Sequence, residues 1–434
     1  MSSSHGKGSV KKRVVITAIG IVSPIGSEIK DFVHALKTGT SGVGPITLFD
    51  ASQFPTTIAA EVKNFTPRHL LHGMRILDTT DDRRVLLANC ATVLALEDAG
   101  LETKMLSQKR GGVIFGSGIH PLVPPVETTL SHGVVYGSKE KMRTMSQGLQ
   151  ASNHAPLWNR VSLGALSVAQ QYSIKGPCYT VVSACAASSE AIGQSFRIIQ
   201  RDEADLIITG GYDSMINAFG VQGFCGLGTM SVHNEQPQKA MKPFDRKRDG
   251  FVLGEGAGVL LLEEYEHALK RGAKIYAELI GYGTSLDAYS VADPHPEGTG
   301  AVRAMSRAMK DAGIEAAEID YINAHGTATL KNDKIETAAI KKVLAGHANK
   351  IPVSSTKSMI GHQVAAAGAL ELITTAVAMD NHFIPPTINY QTPDPACDLD
   401  YVPNSAREQV YTCALSNSFG FGGQNSALII RKIQ

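Results

Sequence analysis

Short apolar segments rich in β-branched residues alternate with amphipathic segments along most of the chain. At 81–99 and 300–312 the apolar residues recur every three or four positions, which predicts two helices. Continuous apolar runs predict buried strands at 14–22, 112–115, 206–209, 259–262, 321–323 and 426–430. This alternation is typical of an α/β protein whose sheets are covered by helices on both faces.

This pattern suggests two halves, although no internal sequence repeat is visible. The first half is assigned to residues 1–273 and the second to 274–434, because a fresh strand-like run opens at Ile275 and each half carries a reactive residue on a predicted strand-to-helix turn. Residues 119–161 show little periodicity and contain several prolines, so we expect a long excursion over the core there. Glycine clusters follow many strands, as at 116–118, 210–211 and 420–423, and α/β proteins place their sites at such strand ends.

Composition narrows the range of functions. With 434 residues, 43% hydrophobic and 19% charged, the chain can bury one large core or two fused cores. The formal charge of +1 gives no global field for nucleic acid or an acidic membrane, so neither is expected as a partner. No apolar run reaches the ~18 residues of a membrane span, and the six cysteines lack the spacing of a zinc site. We therefore expect a protein of the reducing cytoplasm that holds no metal.

Cys185 stands where a β-branched run breaks into small residues and continues as a helix-like segment. A strand, a sharp turn and a helix are predicted here, with the thiol at the helix N-terminus, where unpaired backbone N–H groups favour a thiolate and can hold an oxyanion. Ser183, Ala184, Ala186 and Ala187 leave room for a substrate beside it. The alternative is a buried structural cysteine, which would be chemically inert.

Two histidines downstream are the candidate partners of this thiol. His325 precedes Gly326 and two threonines, and His362 follows a polar turn that contains Lys357. One thiol with two histidines suggests acyl-transfer chemistry, in which an imidazole activates the nucleophile. Taken singly, His325 is equally typical of a buried core histidine, and Lys357 of a solvated surface lysine.

Two glycine-rich segments need separate interpretations. The segment GEGAG at 254–258 precedes an apolar strand-like run instead of a helix, so it lacks the geometry of a phosphate-binding loop and we exclude nucleotide binding there. The segment NSFGFGGQN at 417–425 alternates Phe419 and Phe421 with glycines that allow close backbone approach. It suggests an aromatic gate that supplies oxyanion-binding N–H groups, although an ordinary turn between two strands fits the same spacing.

Together these segments resemble the β-ketoacyl-acyl carrier protein synthases, the elongating condensing enzymes of fatty-acid and polyketide assembly. The resemblance covers 13–430 with gaps. The motifs that carry it are SACA at 183–186, PFDRKRDGFVLGEGAG at 243–258, NAHGT at 323–327, STKSM at 355–359 with GH at 361–362, and NSFGFGG at 417–423. A chance match at all five is not credible.

The resemblance implies a thiolase-like fold, with two similar halves in a five-layered αβαβα arrangement, and a dimer. It implies that Cys185 carries the growing acyl chain, that His325 and His362 handle the malonyl unit, and that Lys357 supports them, held by Glu371. The remaining implied residues have binding roles: the backbone N–H groups of Cys185 and Phe421 in the oxyanion hole, Thr327 and Thr329 on the phosphopantetheine arm, Phe419 beside the substrate, and Ile119 and Phe224 in the acyl pocket.

The implied reaction is a decarboxylative condensation of a Cys-bound acyl chain with malonyl-acyl carrier protein, catalysed by an acyltransferase without a cofactor. The implied partners are an acyl carrier protein and either a second copy or a chain-length factor. Three features depart from typical fatty-acid enzymes: Gln424 replaces a threonine, Gly228 replaces a carrier-docking arginine, and the stretch from Ile119 to Cys185 is longer. They leave the acyl chain and the pathway open. A Cys-His thioester hydrolase and a non-catalytic partner subunit are the competing hypotheses.

Overall fold

The computed structural model describes residues 11–78, 80–101, 106–107, 109–119 and 161–433. Fourteen strands lie within these ranges. They are β1 (Val14–Val22), β2 (Gly44–Pro45), β3 (Ile58–Ala59), β4 (Gly111–Ser117), β5 (Cys178–Val181), β6 (Leu206–Ser214), β7 (Glu255–Glu264), β8 (Ala277–Leu286), β9 (Tyr321–Asn323), β10 (Val353–Ser354), β11 (Phe383–Ile384), β12 (Arg407–Glu408), β13 (Cys413–Gly420) and β14 (Gln424–Arg431).

The α-helices in the described residues are Ile29–Thr38, Pro67–Leu70, Arg83–Asp98, Leu163–Gln171, Ala187–Gln200, Ala218–Gly226, Tyr265–Lys270, Thr299–Ala312, Leu330–Leu344, Lys357–Ile360 and Ala367–Asp380. We call Ala187–Gln200 the first central helix and Ala367–Asp380 the second central helix. Each is preceded directly by a one-turn 3-10 segment, Ala184–Ala186 and Val364–Ala366 respectively.

Ten strands form one sheet in the order β10-β9-β13-β14-β8-β1-β7-β6-β4-β5. It consists of two five-stranded halves with the same order and the same strand directions. In the first half β1–β7 and β7–β6 are antiparallel while β6–β4 and β4–β5 are parallel, and β8–β14, β14–β13, β13–β9 and β9–β10 repeat that pattern. The halves are joined by a short antiparallel β1–β8 contact, in which Ile16 pairs with Ala277.

Three hydrophobic clusters define the layers around this sheet. The two central helices pack against each other and against the inner faces of both halves. Helix Arg83–Asp98 covers the outer face of the first half, and helix Thr299–Ala312 covers that of the second. The result is a helix–sheet–helix–sheet–helix arrangement, and it explains why all nine residues of β1 are buried.

The predicted elements can be compared with these bounds. The first strand lies at Val14–Val22 as predicted, and the helices expected at 81–99 and 300–312 are Arg83–Asp98 and Thr299–Ala312. The Asp82 carboxylate caps the former by accepting from the Arg84 N–H, and Gly313 ends the latter in the left-handed conformation. The segment at 254–258 enters β7 directly, so the exclusion of a phosphate loop agrees with the structure. Of the excursion predicted at 119–161, residues 120–160 lie outside the described residues.

Among the described residues, no helix combines the length and the apolar character needed to cross a membrane.

Candidate active site

Cys185 lies in the 3-10 turn between β5 and the first central helix and is 2% exposed. The turn is tight, since Ala184 takes a positive φ of 47°, which few non-glycine residues adopt. Gly420 approaches the turn so closely that a Cβ there would lie 3.0 Å from the Ser183 carbonyl oxygen and 3.2 Å from the Cys185 nitrogen. Gly420 therefore eases the close approach of the 417–425 loop to the nucleophile, where a side chain would be crowded.

Burial raises the pKa of the Cys185 thiol to about 12. The Lys357 ammonium and the Phe421 backbone N–H both lower it, but they offset only part of the cost of removing a thiolate from water. Burial therefore opposes the thiolate expected at a helix N-terminus and favours the neutral thiol. Its activation requires a proton acceptor in contact with it.

His362 supplies that acceptor. Its Nε2 lies 3.1 Å from the Cys185 sulfur. The backbone around it is fixed on both sides, because its N–H donates to the Val252 carbonyl at 2.8 Å and its carbonyl accepts from the Gly254 N–H at 2.9 Å. Burial first, and the Lys357 charge second, hold the pKa of His362 well below its usual value, so the ring is neutral.

His325 follows β9, and its ring centroid lies 5.5 Å from that of His362 at nearly a right angle. The Lys357 ammonium donates to the His325 carbonyl at 2.7 Å and lies 3.3 Å from its Nδ1. Because an ammonium only donates, Nδ1 is the acceptor and Nε2 bears the hydrogen. Burial, then Lys357, then His362 hold the pKa of His325 well below its usual value.

Lys357 and Glu371 form a fully buried ion pair beneath the histidines. Lys357 opens the helix Lys357–Ile360, and Glu371 lies in the first turns of the second central helix. Burial raises the pKa of Glu371 to about 7 while Lys357 opposes the rise. The pairing that the resemblance implies is thus present as a contact.

Glu336 is a site residue that the sequence reasoning missed. It is fully buried in helix Leu330–Leu344, and its two carboxylate oxygens accept from the backbone N–H groups of His325 and Gly326, each at 2.8 Å. The Asn417 side chain donates to it at 3.2 Å. Glu336 therefore fixes the backbone that carries His325. A glutamate on an ordinary amphipathic helix gives no signal for this role in the sequence.

Asp213 was missed as well. It lies near the end of β6, fully buried, and its carboxylate accepts from the Ala365 N–H at 3.1 Å and from the Ser214 N–H at 2.9 Å. Ala365 belongs to the turn that follows His362, so Asp213 ties that turn to the first half of the molecule. Burial raises the pKa of Asp213 to about 6, against the effect of Arg84 and these two N–H groups.

The thiol and both imidazoles line one cavity of about 240 Å³. Thr327 and Thr329 also line it, with their hydroxyl oxygens 3.0 Å apart. Exposed Leu227 and Leu330 lie at its mouth. A polar arm that enters between the threonines would therefore reach the sulfur.

Aromatic side chains enclose the reactive groups. The Phe419 ring centroid lies 5.7 Å from that of His325, and the Phe251 ring packs edge-on against His362 at 5.2 Å. Phe421 lines the cavity and stacks on Phe224 at 6.3 Å, so Phe224 touches the gate without lining the described cavity. Ile119 does not line it either; it borders residues outside the described ranges, and its acyl-pocket role stays a prediction.

This arrangement suits two kinds of chemistry. A neutral imidazole beside a neutral thiol can start acyl transfer, and the Phe421 backbone N–H, which hydrogen-bonds to Cys185, is a candidate donor to an oxyanion. The Cys185 sulfur and one ring nitrogen from each histidine also lie within 4.8 Å of one another, so modest side-chain shifts would bring them to a common metal ion. That the protein works without a cofactor stays a prediction.

Comparisons with known proteins agree with this chemistry. The family model "Beta-ketoacyl synthase, N-terminal domain" matches residues 11–268, and "Beta-ketoacyl synthase, C-terminal domain" matches 276–391. The chain is 44% identical over 423 residues to 3-oxoacyl-[acyl-carrier-protein] synthase 2 of Coxiella burnetii, with 98% of this chain and 99% of the relative covered. It is 43% identical over 425 residues to the protein of the same name from Synechocystis, with the same coverage.

Solved structures give the same answer for the fold. A β-ketoacyl synthase from Burkholderia phymatum superposes with a TM-score of 0.85 at 34% identity, covering 98% of this chain and 100% of that one. The ishigamide ketosynthase/chain length factor superposes with a TM-score of 0.87 at 33% identity and the same coverage. A type II polyketide ketosynthase in complex with its acyl carrier protein gives 0.85 at 32% identity, again with that coverage. The expected thiolase-like fold and the acyltransferase class of enzyme are confirmed, and the chain belongs to the β-ketoacyl synthase family.

Proposed function

We propose that the protein lengthens an acyl chain held on Cys185 by two carbons, through decarboxylative condensation with malonyl-acyl carrier protein. The observation that carries this proposal is the convergence of one thiol and two neutral imidazoles on a single cavity, with the His362 Nε2 at 3.1 Å from the Cys185 sulfur.

In the first half-reaction the Cys185 sulfur attacks the acyl thioester while its proton passes to His362. The backbone N–H groups of Cys185 and Phe421 stabilise the tetrahedral oxyanion, and loss of one such donor typically costs about 3–4 kcal/mol. The intermediate collapses to acyl-Cys185, and His362 returns the proton to the departing carrier thiol. Both imidazoles are then neutral again.

In the second half-reaction the malonyl thioester loses carbon dioxide, and its enolate oxygen needs hydrogen-bond donors. The Nε2–H of His325 is one, since Lys357 occupies its Nδ1. His362 can be the other because its Nδ1 has no partner among the described residues, so nothing there fixes its tautomer. The carbanion attacks acyl-Cys185, the sulfur leaves as a thiolate, and a proton from water restores the thiol.

The partners follow from the site. We assign the phosphopantetheine arm of an acyl carrier protein to Thr327 and Thr329, and the carrier itself to the cavity mouth at Leu227 and Leu330, where Gly228 replaces the arginine of related enzymes. A second subunit is assigned to the free edge of the terminal strand β5, which pairs only with β4 among the described strands. That subunit is either a second copy or a chain-length factor.

The pathway we favour is fatty-acid elongation. The relatives named 3-oxoacyl-[acyl-carrier-protein] synthase 2 are 43–44% identical, whereas the polyketide and ishigamide ketosynthases are 32–33% identical. Gln424, Gly228 and Ile119 leave the acyl selectivity open. The six cysteines are all free thiols, which supports a cytoplasmic enzyme.

The test uses purified protein, an acyl carrier protein and malonyl-carrier labelled in its free carboxyl group. Release of labelled carbon dioxide together with a carrier product longer by two carbons supports condensation. Release of free acid alone would show a Cys-His hydrolase. Absence of any acyl group on Cys185 would show a non-catalytic partner subunit.

A further inference from the structure

The reactive groups of the site form a set of soft metal ligands. The Cys185 sulfur and one nitrogen from each of His325 and His362 all lie within 4.8 Å of one another. In a tetrahedral zinc site with bonds of ~2.3 Å to sulfur and ~2.0 Å to nitrogen, the ligand atoms are separated by roughly 3.3–3.6 Å. The 3.1 Å between the Cys185 sulfur and the His362 Nε2 is already close to that separation.

The ligand types and the surroundings favour zinc over harder cations. One thiolate and two imidazoles suit Zn²⁺, whereas Mg²⁺ and Ca²⁺ prefer oxygen ligands. Three protein ligands leave a fourth position for water, and the cavity that reaches the threonine-lined mouth provides a path for the ion. All three ligand residues are 2% exposed, so packing holds them beside one another, and the ligand atoms need to approach by at most about 1.5 Å to reach tetrahedral separations.

The groups around the two histidines are not those of a resident metal centre. Metal-binding histidines normally donate their other ring N–H to a carboxylate or carbonyl. Here the His325 Nδ1 faces the Lys357 ammonium at 3.3 Å, and the His362 Nδ1 has no partner among the described residues. The ammonium also repels a cation. A bound metal would therefore be held reversibly.

We propose that Cys185, His325 and His362 form an inhibitory Zn²⁺ site. Zinc bound there blocks the transfer of an acyl group to Cys185 when the nucleophile is not yet acylated. Binding forms one Zn–S and two Zn–N bonds; the thiol proton leaves to solvent, and the His325 ring hydrogen moves from Nε2 to Nδ1, which gives up its contact with Lys357 while Lys357 keeps the His325 carbonyl and Glu371. Zinc and the acyl group compete for the same sulfur, so acyl-Cys185 is immune. The inhibition, though not the binding, rests on the proposed function.

The binding test uses the full chain after chelator treatment, titrated with Co²⁺ as a spectroscopic substitute for Zn²⁺. We expect one Co²⁺ per chain, with a thiolate-to-metal charge-transfer band in the near ultraviolet and the strong visible bands of a four-coordinate ion, both displaced by Zn²⁺. Cys185→Ala should abolish the charge-transfer band, and His362→Ala should weaken binding at least about tenfold. The controls are Cys90→Ala and His233→Ala, a cysteine and a histidine outside the cavity, which should bind as the unaltered chain does.

The site would be overturned by a charge-transfer band that survives Cys185→Ala. It would also be overturned by a lack of stoichiometric binding at 100 μM metal, a concentration far above a dissociation constant of about 1 μM. Neither result bears on condensation, because no substrate is present. In the matching kinetic assay, Zn²⁺ should block the transfer of an acyl group to Cys185, a chelator should restore it, and enzyme acylated beforehand should be protected. Equal inhibition of acylated and free enzyme would overturn the competition.

Discussion

The two strand-to-helix turns of the molecule have the same backbone and different chemistry. In the first, Ala184 at φ 47° begins a 3-10 turn that leads into the first central helix; in the second, Val364 at φ 47° does the same for the second central helix. The two turns and the two 14-residue helices are offset by 180 residues throughout, from 184 to 364 and from 200 to 380. The halves thus repeat each other in local geometry as well as in sheet topology.

The difference lies in what each turn presents. Position 185 is a cysteine that faces the cavity, while the equivalent position 365 is an alanine whose N–H is occupied by the Asp213 carboxylate. The residue three positions before Cys185 is Val182, and the residue three positions before Ala365 is His362. The first half of the chain therefore supplies the nucleophile, and the second half supplies its proton acceptor. The reaction depends on the two halves being held in a fixed relative position.

The largest effect should come from making the two turns alike. Cys185→Ala removes the sulfur that carries the acyl group, and we expect acyl transfer to fall by at least about 10⁴-fold, as for other nucleophile deletions. The measurement is mass spectrometry of the acylated protein together with the rate of carrier-product formation.

The matched control moves the thiol to the other turn. Cys185→Ala combined with Ala365→Cys should remain inactive, because Asp213 occupies the N–H at position 365. Elongation at the unaltered rate by the single variant would refute Cys185 as the nucleophile, and activity of the double variant would refute the asymmetry between the turns.

His325→Ala separates the two half-reactions. It removes one enolate donor but leaves the 3.1 Å contact between the His362 Nε2 and the Cys185 sulfur, so malonyl decarboxylation should fall by about 10²–10³-fold while acyl loading changes little. Single-turnover assays of each step, with Phe419→Leu as a control for lost packing against the ring, distinguish the two. Equal losses in both steps would contradict the division of roles.

Asp213 tests whether the second turn positions His362. Asp213→Val removes the acceptor of the Ala365 N–H, and we expect acyl loading to slow by about tenfold, whereas Asp213→Asn keeps an acceptor and should retain most of the rate. The readout is the acyl-loading rate against pH for both variants. Equal rates in the two variants would show that Asp213 does not act through this hydrogen bond.

The sequence alone predicts many of the strands and helices and the candidate nucleophile. Continuous apolar runs and small residues around Cys185 are local features, and they predicted the strands, the turn and the candidate nucleophile. The 180-residue repeat leaves no visible sequence signal, because the equivalent central helices share backbone geometry and hardly any side chains. Glu336 and Asp213 act through backbone N–H groups far away in sequence, and no local pattern records such a contact. The neutral thiol followed from burial, which depends on the packed fold.

The smallest effect concerns stability. Burial raises the pKa of Asp213 from its ordinary value to about 6, so the folded protein holds this proton between about pH 4 and pH 6 while the unfolded chain has released it. Folded protein binds more protons in that window, and stability is therefore lost as the pH rises through it. The Asp213→Asn variant has no carboxyl group to ionise at this position, so its free energy of unfolding does not fall for this reason. Its free energy of unfolding should match that of the unaltered chain near pH 4 and exceed it at pH 8, by at most about 3 kcal/mol.

Urea unfolding at the two pH values measures this gain. Asp98→Asn is the control, since the Asp98 carboxylate also accepts from a backbone N–H, that of Ile19 at 2.9 Å, but its partners Ile19 and Tyr276 lie outside both turns. A gain for Asp213→Asn that is equal at both pH values would mean that the charge of Asp213 carries no cost. A gain confined to pH 8 would show that the molecule retains, at the expense of stability, the carboxylate that distinguishes its second turn from its first.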